Sequence, residues 1–245
     1  MNTKLIMTAG SKGGVGKSTV MCLMNTWYRE NGIQPLLVDA DETSGTLKRF
    51  FPEAKCVVPH RRKSYDTIVD LIEAGQHPLI LLDLKAGVDW DVLGWFSDIP
   101  WEELTELGVS ITAVGVLTSS PDSVSSFLRW PDALGRHVNY LIVKNLVHSD
   151  AGDQKPKDVT LPAYDLTKQA LQFRKLFKPN EMVLPALDPE YMGELERVSL
   201  TISDVLARDP RTPPTLSSMI VRSKLRNYLA KVYRGFEANK ELLLP

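Results

Sequence analysis

The chain has 245 residues, 43% of them hydrophobic and 24% charged, which excludes disorder as the dominant state and suffices for a buried core without staples. Its 29 Lys+Arg stand against 30 Asp+Glu, which excludes a generally basic nucleic-acid binder, although residues 208–245 carry a net +5 and the remainder −6. Two cysteines, Cys22 and Cys56, make neither a disulfide scaffold nor a four-thiolate metal site. In chain order, Lys4–Ala9 is a short β-type run stopped by Gly10. Lys17–Asn31 carries Val20, Leu23, Met24 and Trp27 at helical spacing and is closed by Gly32. Pro35–Val38 is a second strand ending at Asp39, Lys55–Pro59 a weak third, and Tyr65–Ala74 a helix. Leu79–Leu82 is a continuous apolar run, as expected of a strand buried on both faces. Ile111–Leu117 and Asn139–Val143 repeat that signal, with helical Pro121–Leu134 between them. His148–Thr160 reads as a loop, Met182–Leu184 as the last strand, Glu190–Leu206 as helical and Asp209–Pro214 as a linker. A C-terminal amphipathic helix is expected at about Leu216–Phe236.

Strands alternating with helices predict an α/β fold: one doubly wound domain over 1–245, a mostly parallel sheet with helices on both faces. No apolar stretch approaches the ~20 residues needed to span a bilayer. The run Leu5–Met7 is short and soon followed by glycines, so no signal peptide is read and a cytoplasmic protein is expected.

The segment Gly10-Ser11-Lys12-Gly13-Gly14-Val15-Gly16-Lys17-Ser18-Thr19 lies between the first strand and the first helix, where a phosphate loop belongs. Glycines let successive N–H groups turn toward phosphate oxygens, and the helix adds its positive end. Lys17 suits the β- and γ-phosphates, the Ser18 hydroxyl suits Mg²⁺, and Thr19 falls near the α-phosphate. Ser11 breaks the strict G-x-x-x-x-G-K-[ST] pattern, whereas K-G-G-x-G-K-[ST] is matched in full. Leu79-Ile80-Leu81-Leu82-Asp83 has the form of a Walker B strand, its acid placed to hold Mg²⁺ through water. Asp39 and Asp41 end the second strand at the ligand edge of such a sheet.

These residues resemble the MinD/ParA family of deviant Walker A P-loop ATPases. The resemblance, specific from Lys4 to about Asn145, implies an ATP-dependent dimerising switch with slow hydrolysis, using ATP and Mg²⁺. It implies that Lys12 crosses to the nucleotide of a partner copy, that Asp39 supports the Mg²⁺ shell and that Asp41 orients the attacking water. Lys12, Lys17 and Asp41 are therefore the catalytic candidates. Lys12, Gly13, Gly14, Val15, Gly16, Lys17, Ser18, Thr19, Asn145 and Pro185 are the ATP-binding ones, and Ser18, Asp39 and Asp83 the Mg²⁺ set. Asn145, ending its strand, suits the adenine N6/N7 edge, with a turn-capping role as an equal alternative. Where relatives read D-x-P-x-G, this chain reads Asp83-Leu84-Lys85-Ala86-Gly87, and Lys85 is either an added phosphate cation or simply exposed.

Trp90, Trp95, Phe96 and Trp101 read first as core, otherwise as a partner surface. In the last helix Val221, Leu225, Tyr228, Leu229, Val232 and Phe236 form one stripe, docking on the sheet. Arg222, Lys224, Arg226, Lys231 and Arg234 occupy the remaining arc, suited to nonspecific DNA or else merely solvated. A membrane partner is disfavoured, and an activating adaptor protein fits a slow switch. The resemblance implies service in DNA partition or mobilisation, or in intracellular positioning, without fixing which. The rival reading is a dethiobiotin-synthetase-like ATP-dependent ligase acting on a small carboxylic acid. An iron–sulfur ATPase is discounted on the placement of the cysteines.

Overall fold

Seven strands form one sheet: β1 (Thr3–Ala9), β2 (Leu36–Ala40), β3 (Lys55–Cys56), β4 (Leu79–Leu84), β5 (Val109–Leu117), β6 (Asn139–Asn145) and β7 (Asn180–Leu184). They lie in the order β3-β2-β4-β1-β5-β6-β7, and every pairing is parallel. The structure is a computed structural model describing residues 3–41, 45–58, 61–147 and 156–245. The helices are α1 (Lys17–Glu30), α2 (Thr46–Phe50), α3 (Arg62–Glu73), α4 (Asp89–Phe96), α5 (Trp101–Glu106), α6 (Pro121–Leu134) and α7 (Pro162–Asp165). They continue as α8 (Lys168–Phe177), α9 (Pro189–Val198), α10 (Ile202–Leu206), α11 (Pro214–Ser217), α12 (Met219–Glu237) and α13 (Lys240–Leu243).

Side chains alternate across each strand, so the sheet divides its apolar residues between two cores. Leu5, Met7, Val38, Ile80, Leu82 and Ile142 pack under α3–α8. Ile6, Leu37, Leu79, Leu81, Leu141 and Val143 pack under α1, α2 and α9–α13. This is the doubly wound arrangement the alternation predicts. β4 returns between β1 and β2, whereas β5 lies on the other side of β1, so the order switches around β1 and leaves a crevice beyond its carboxyl end.

Several boundaries differ from expectation. The weak third strand keeps only its two residues Lys55–Cys56 at the sheet edge. Positions 59–60, at the end of the expected strand, and most of the expected loop, 148–155, lie outside the described residues. The helical pattern over Glu190–Leu206 is two helices, because Ser199 takes a left-handed φ of 53° and Thr201 then caps α10 with a reciprocal Asp204 bond. The C-terminal pattern likewise splits at Ser218, whose side chain accepts from the Val221 N–H to start α12. All six predicted stripe residues of α12 are buried, facing the second core. Trp95 and Phe96 are buried as expected, Trp101 packs against them, and Trp90 alone of the four stands 77% exposed. Among the described residues no helix is long and apolar enough to cross a membrane.

Candidate functional site

Strand parity decides which polar side chains meet. Asp39, Asp83 and Asn145 share parity with Leu37, Leu81 and Val143, so all three point to the α1 side of the sheet, where the loop after β1 turns into α1. Lys144, one residue before Asn145, points to the opposite face. Gly14 and Gly16 take left-handed φ values of 72° and 95° in that loop, conformations that disfavour any Cβ. Gly16 is also the N-cap of α1, and a Cβ there would lie 2.7 Å from the Asn145 side-chain nitrogen.

Loop residues Gly13–Thr19 line a cleft of about 310 Å³ together with Asp41, Asp83 and Lys85. Lys17 is buried and donates to the Lys12 carbonyl at 2.9 Å. Burial pushes its ammonium below the usual lysine range, opposed by nearby Asp83 and Asp89. Asp83 is pushed up to about 7, chiefly by burial, against the pull of the nearby Ser18 hydroxyl and Lys17 and a hydrogen bond from the Thr8 hydroxyl at 3.3 Å. Thr8 has a second bond, accepting the Leu84 N–H at 2.7 Å, which ties β1 to the end of β4.

Asp39 does not line the cleft. It is buried behind it, and its two oxygens accept the backbone N–H groups of Asp41 at 3.0 Å and Lys48 at 2.8 Å. Burial raises its pKa and those N–H bonds pull it back. The Lys48 bond caps α2, so Asp39 fixes the segment that carries Asp41. Gly45 permits this, since a Cβ would come within 2.9 Å of the Asp41 carbonyl and 3.1 Å of Asp39 Oδ2. Asp41 itself pairs with Lys85 Nζ at 3.2 Å.

Lys12 lies at the surface, its Nζ 3.4 Å from Asp122 at the start of α6. Asn145 lies beside the cleft, and its side-chain nitrogen donates to the Val15 carbonyl at 2.8 Å. One of the two N–H donors of the amide that suited it to adenine is therefore used by the loop itself. Pro185 follows β7 directly at the same end of the sheet and is buried.

Two groups escaped the sequence reading. Asp89, at the start of α4, is buried beside Ser11 and Lys17, and burial raises its pKa against their pull. The other is Lys144, buried on the far face, which donates to Val159 O at 2.9 Å and pairs with Asp165 at 3.2 Å and Glu181 at 3.4 Å. Parity would have flagged Lys144, since a lysine inside an apolar strand must find partners. Asp89 carried no signal, being one acid among several after the Walker B strand.

A model of the CobQ/CobB/MinD/ParA nucleotide binding domain matches residues 6–227. No curated protein matches the chain by sequence. Among solved structures, the septum site-determining protein MinD complexed with Mg-ADP from Pyrococcus horikoshii OT3 superposes with TM-score 0.54 at 14% identity, over 94% of this chain and 96% of that one. The MinC:MinD cell division protein complex from Aquifex aeolicus gives 0.51 at 14%, over 94% and 96%. At such identities the likeness is one of fold, whereas the family model spans most of the sequence. The chain belongs to the CobQ/CobB/MinD/ParA nucleotide-binding family.

Proposed function

We propose that the protein is an ATP- and Mg²⁺-dependent switch: ATP brings two copies together and slow hydrolysis separates them. The observation that carries this is the complete K-G-G-x-G-K-S loop, seated between β1 and α1 with the end of β4 and Asp41 on the same cleft. Loop N–H groups and Lys17 hold the phosphates, with Thr19 beside the α-phosphate. Lys17 turns to them by exchanging its bond to the Lys12 carbonyl for one to an anionic oxygen, where both partners are charged.

The donor set fits Mg²⁺, since the Ser18 hydroxyl and the Asp83 carboxylate are neighbours lining the same cleft. Bound there, the ion would neutralise charge on the β- and γ-phosphates. Asp39 supports this set from behind, by fixing the backbone at Asp41. Asp41 lies where it can orient water toward the terminal phosphate. The Asn145 oxygen and its second N–H serve adenine while the first N–H holds Val15, and Pro185 borders the base.

Lys12 supplies the cation to the partner's nucleotide. Its exposed pairing with Asp122 is of a kind worth about 0–1 kcal/mol and is easily exchanged for phosphate. The basic arc of α12 serves nonspecific DNA, and an adaptor protein accelerates hydrolysis. A role in partition, mobilisation or positioning follows from such a cycle.

Light scattering with and without ATP-Mg²⁺ tests the reading. The parent is expected to double in mass with ATP, Lys12→Ala to bind ATP but stay monomeric, and Lys17→Ala to do neither. Equal mass of the parent in both conditions would overturn it.

A further inference from the structure

Lys85 stands where the family pattern has a proline, and its surroundings give it a task. Its ammonium lies 3.2 Å from Asp41 Oδ1, and both residues line the cleft with the phosphate loop. The pair is neither buried nor free in solvent, the two side chains being 29% and 18% exposed. Gly87 follows with a left-handed φ of 85°, turning the chain just after Lys85-Ala86. That turn lays Ala86 against the loop, its Cβ 3.5 Å from where a Cβ on Gly13 would be. The segment that delivers Asp83 therefore carries a cation to the same cleft as the loop two residues later.

We infer that Lys85 reads the terminal phosphate, a specificity residue that selects a nucleoside triphosphate over a diphosphate and draws Asp41 onto it. The inference rests on the nucleotide reading above. An ammonium has three donors on a flexible stem, so it can keep one on Asp41 while giving another to phosphate. A diphosphate offers no oxygen at that place and leaves the Lys85–Asp41 pair as it is. With a triphosphate the same cation bridges the phosphate and the carboxylate. The residue that orients water is then seated only when there is a bond to cleave. A proline at this position has no charge to contribute, so its relatives must sense the terminal phosphate by other means.

Calorimetry with AMPPNP-Mg²⁺ and ADP-Mg²⁺ tests this. Loss of one charge-assisted contact predicts that Lys85→Ala weakens AMPPNP by about ten-fold or more. ADP affinity should stay within about two-fold on the same argument, and it reports that the variant is folded. Lys85→Arg should retain most of the discrimination. Asp41→Asn should tighten AMPPNP by releasing Lys85 and removing a repelling charge, and the gain from releasing Lys85 should vanish in the Lys85→Ala background. Equal weakening of both nucleotides by Lys85→Ala, or of neither, would overturn the role of Lys85 while leaving the switch intact. A parent protein that binds neither nucleotide would overturn both.

Discussion

Replacing Asn145 by Ala separates its duty to the loop from any duty to the base. The side chain spans from the end of β6 to the Val15 carbonyl at 2.8 Å, and it touches the loop beside Gly16. Removing one partner of such a bond leaves the other unpaired, which costs about 1–3 kcal/mol when no water reaches it. Val15 borders the cleft, so water can partly compensate, and the lower part of the range applies: about 1–2 kcal/mol. For a chain of this size each kcal/mol moves Tm by about 2–4 °C, so Tm should fall by about 2–8 °C. The effect must be present without any nucleotide, because the bond lies within the protein. Thermal unfolding by circular dichroism in nucleotide-free buffer measures it. Asn145→Asp should be no better than Ala, since a carboxylate then faces the Val15 carbonyl and the donor is lost. An unchanged Tm for Asn145→Ala, with weakened ATP binding alone, would refute the clasp and leave only the base contact.

Three further outcomes follow from the same geometry. Gly16→Ala should lose ATP binding by calorimetry, because its φ of 95° disfavours a Cβ and that Cβ would displace Asn145. Asp41→Ala should bind ATP, stay dimeric in light scattering and hydrolyse at least about ten-fold more slowly in a phosphate-release assay, since the cradle is untouched but the water is not oriented. The Arg222/Lys224/Arg226→Glu triple variant should retain less DNA on filters with ATP, and retention by the parent should fall steeply with salt; equal retention by both would exclude this helix from DNA contact.

Much of the fold was legible because buried parallel strands announce themselves as unbroken apolar runs, and β4 is such a run from Leu79 to Leu82. The stripe of α12 was legible for the complementary reason: a long helix docked on a sheet has time to show its period. What stayed hidden was short. α2, α5 and α7 have six residues or fewer, less than two turns, so no periodicity can accumulate. The split at Ser199 was hidden too, because a serine in a left-handed C-terminal position carries none of the signal a glycine would. In the site, the loop residues were legible as a motif. The partnerships were not, since whether Asp41 meets Lys85 or Asn145 meets Val15 depends on segments brought together only by the sheet order.

Two charge clusters in the molecule, one around buried Lys144 and one at the cleft, differ in a way that separates structure from function. On the face under α6–α8, Lys144 and Arg174 meet Asp165 and Glu181 at 3.2–3.4 Å, two cations against two carboxylates. Tyr164 and the Leu161 N–H add further hydrogen bonds. Such a cluster balances its own desolvation and asks for nothing from outside. At the carboxyl ends of β1, β2 and β4 the count is uneven: Asp39, Asp83 and Asp89 are all buried, the last two near Lys17, and burial raises the pKa of each. No hydrophobic core needs that arrangement, and it costs stability wherever the acids ionise. A chain retains such a conflict where a ligand resolves it. In the function proposed above, a divalent cation and phosphate together would do so, the ion meeting Asp83 while Lys17, Lys85 and the loop N–H groups meet the phosphate. The imbalance, more than the motif that first pointed to it, marks this end of the sheet as a place built to be occupied.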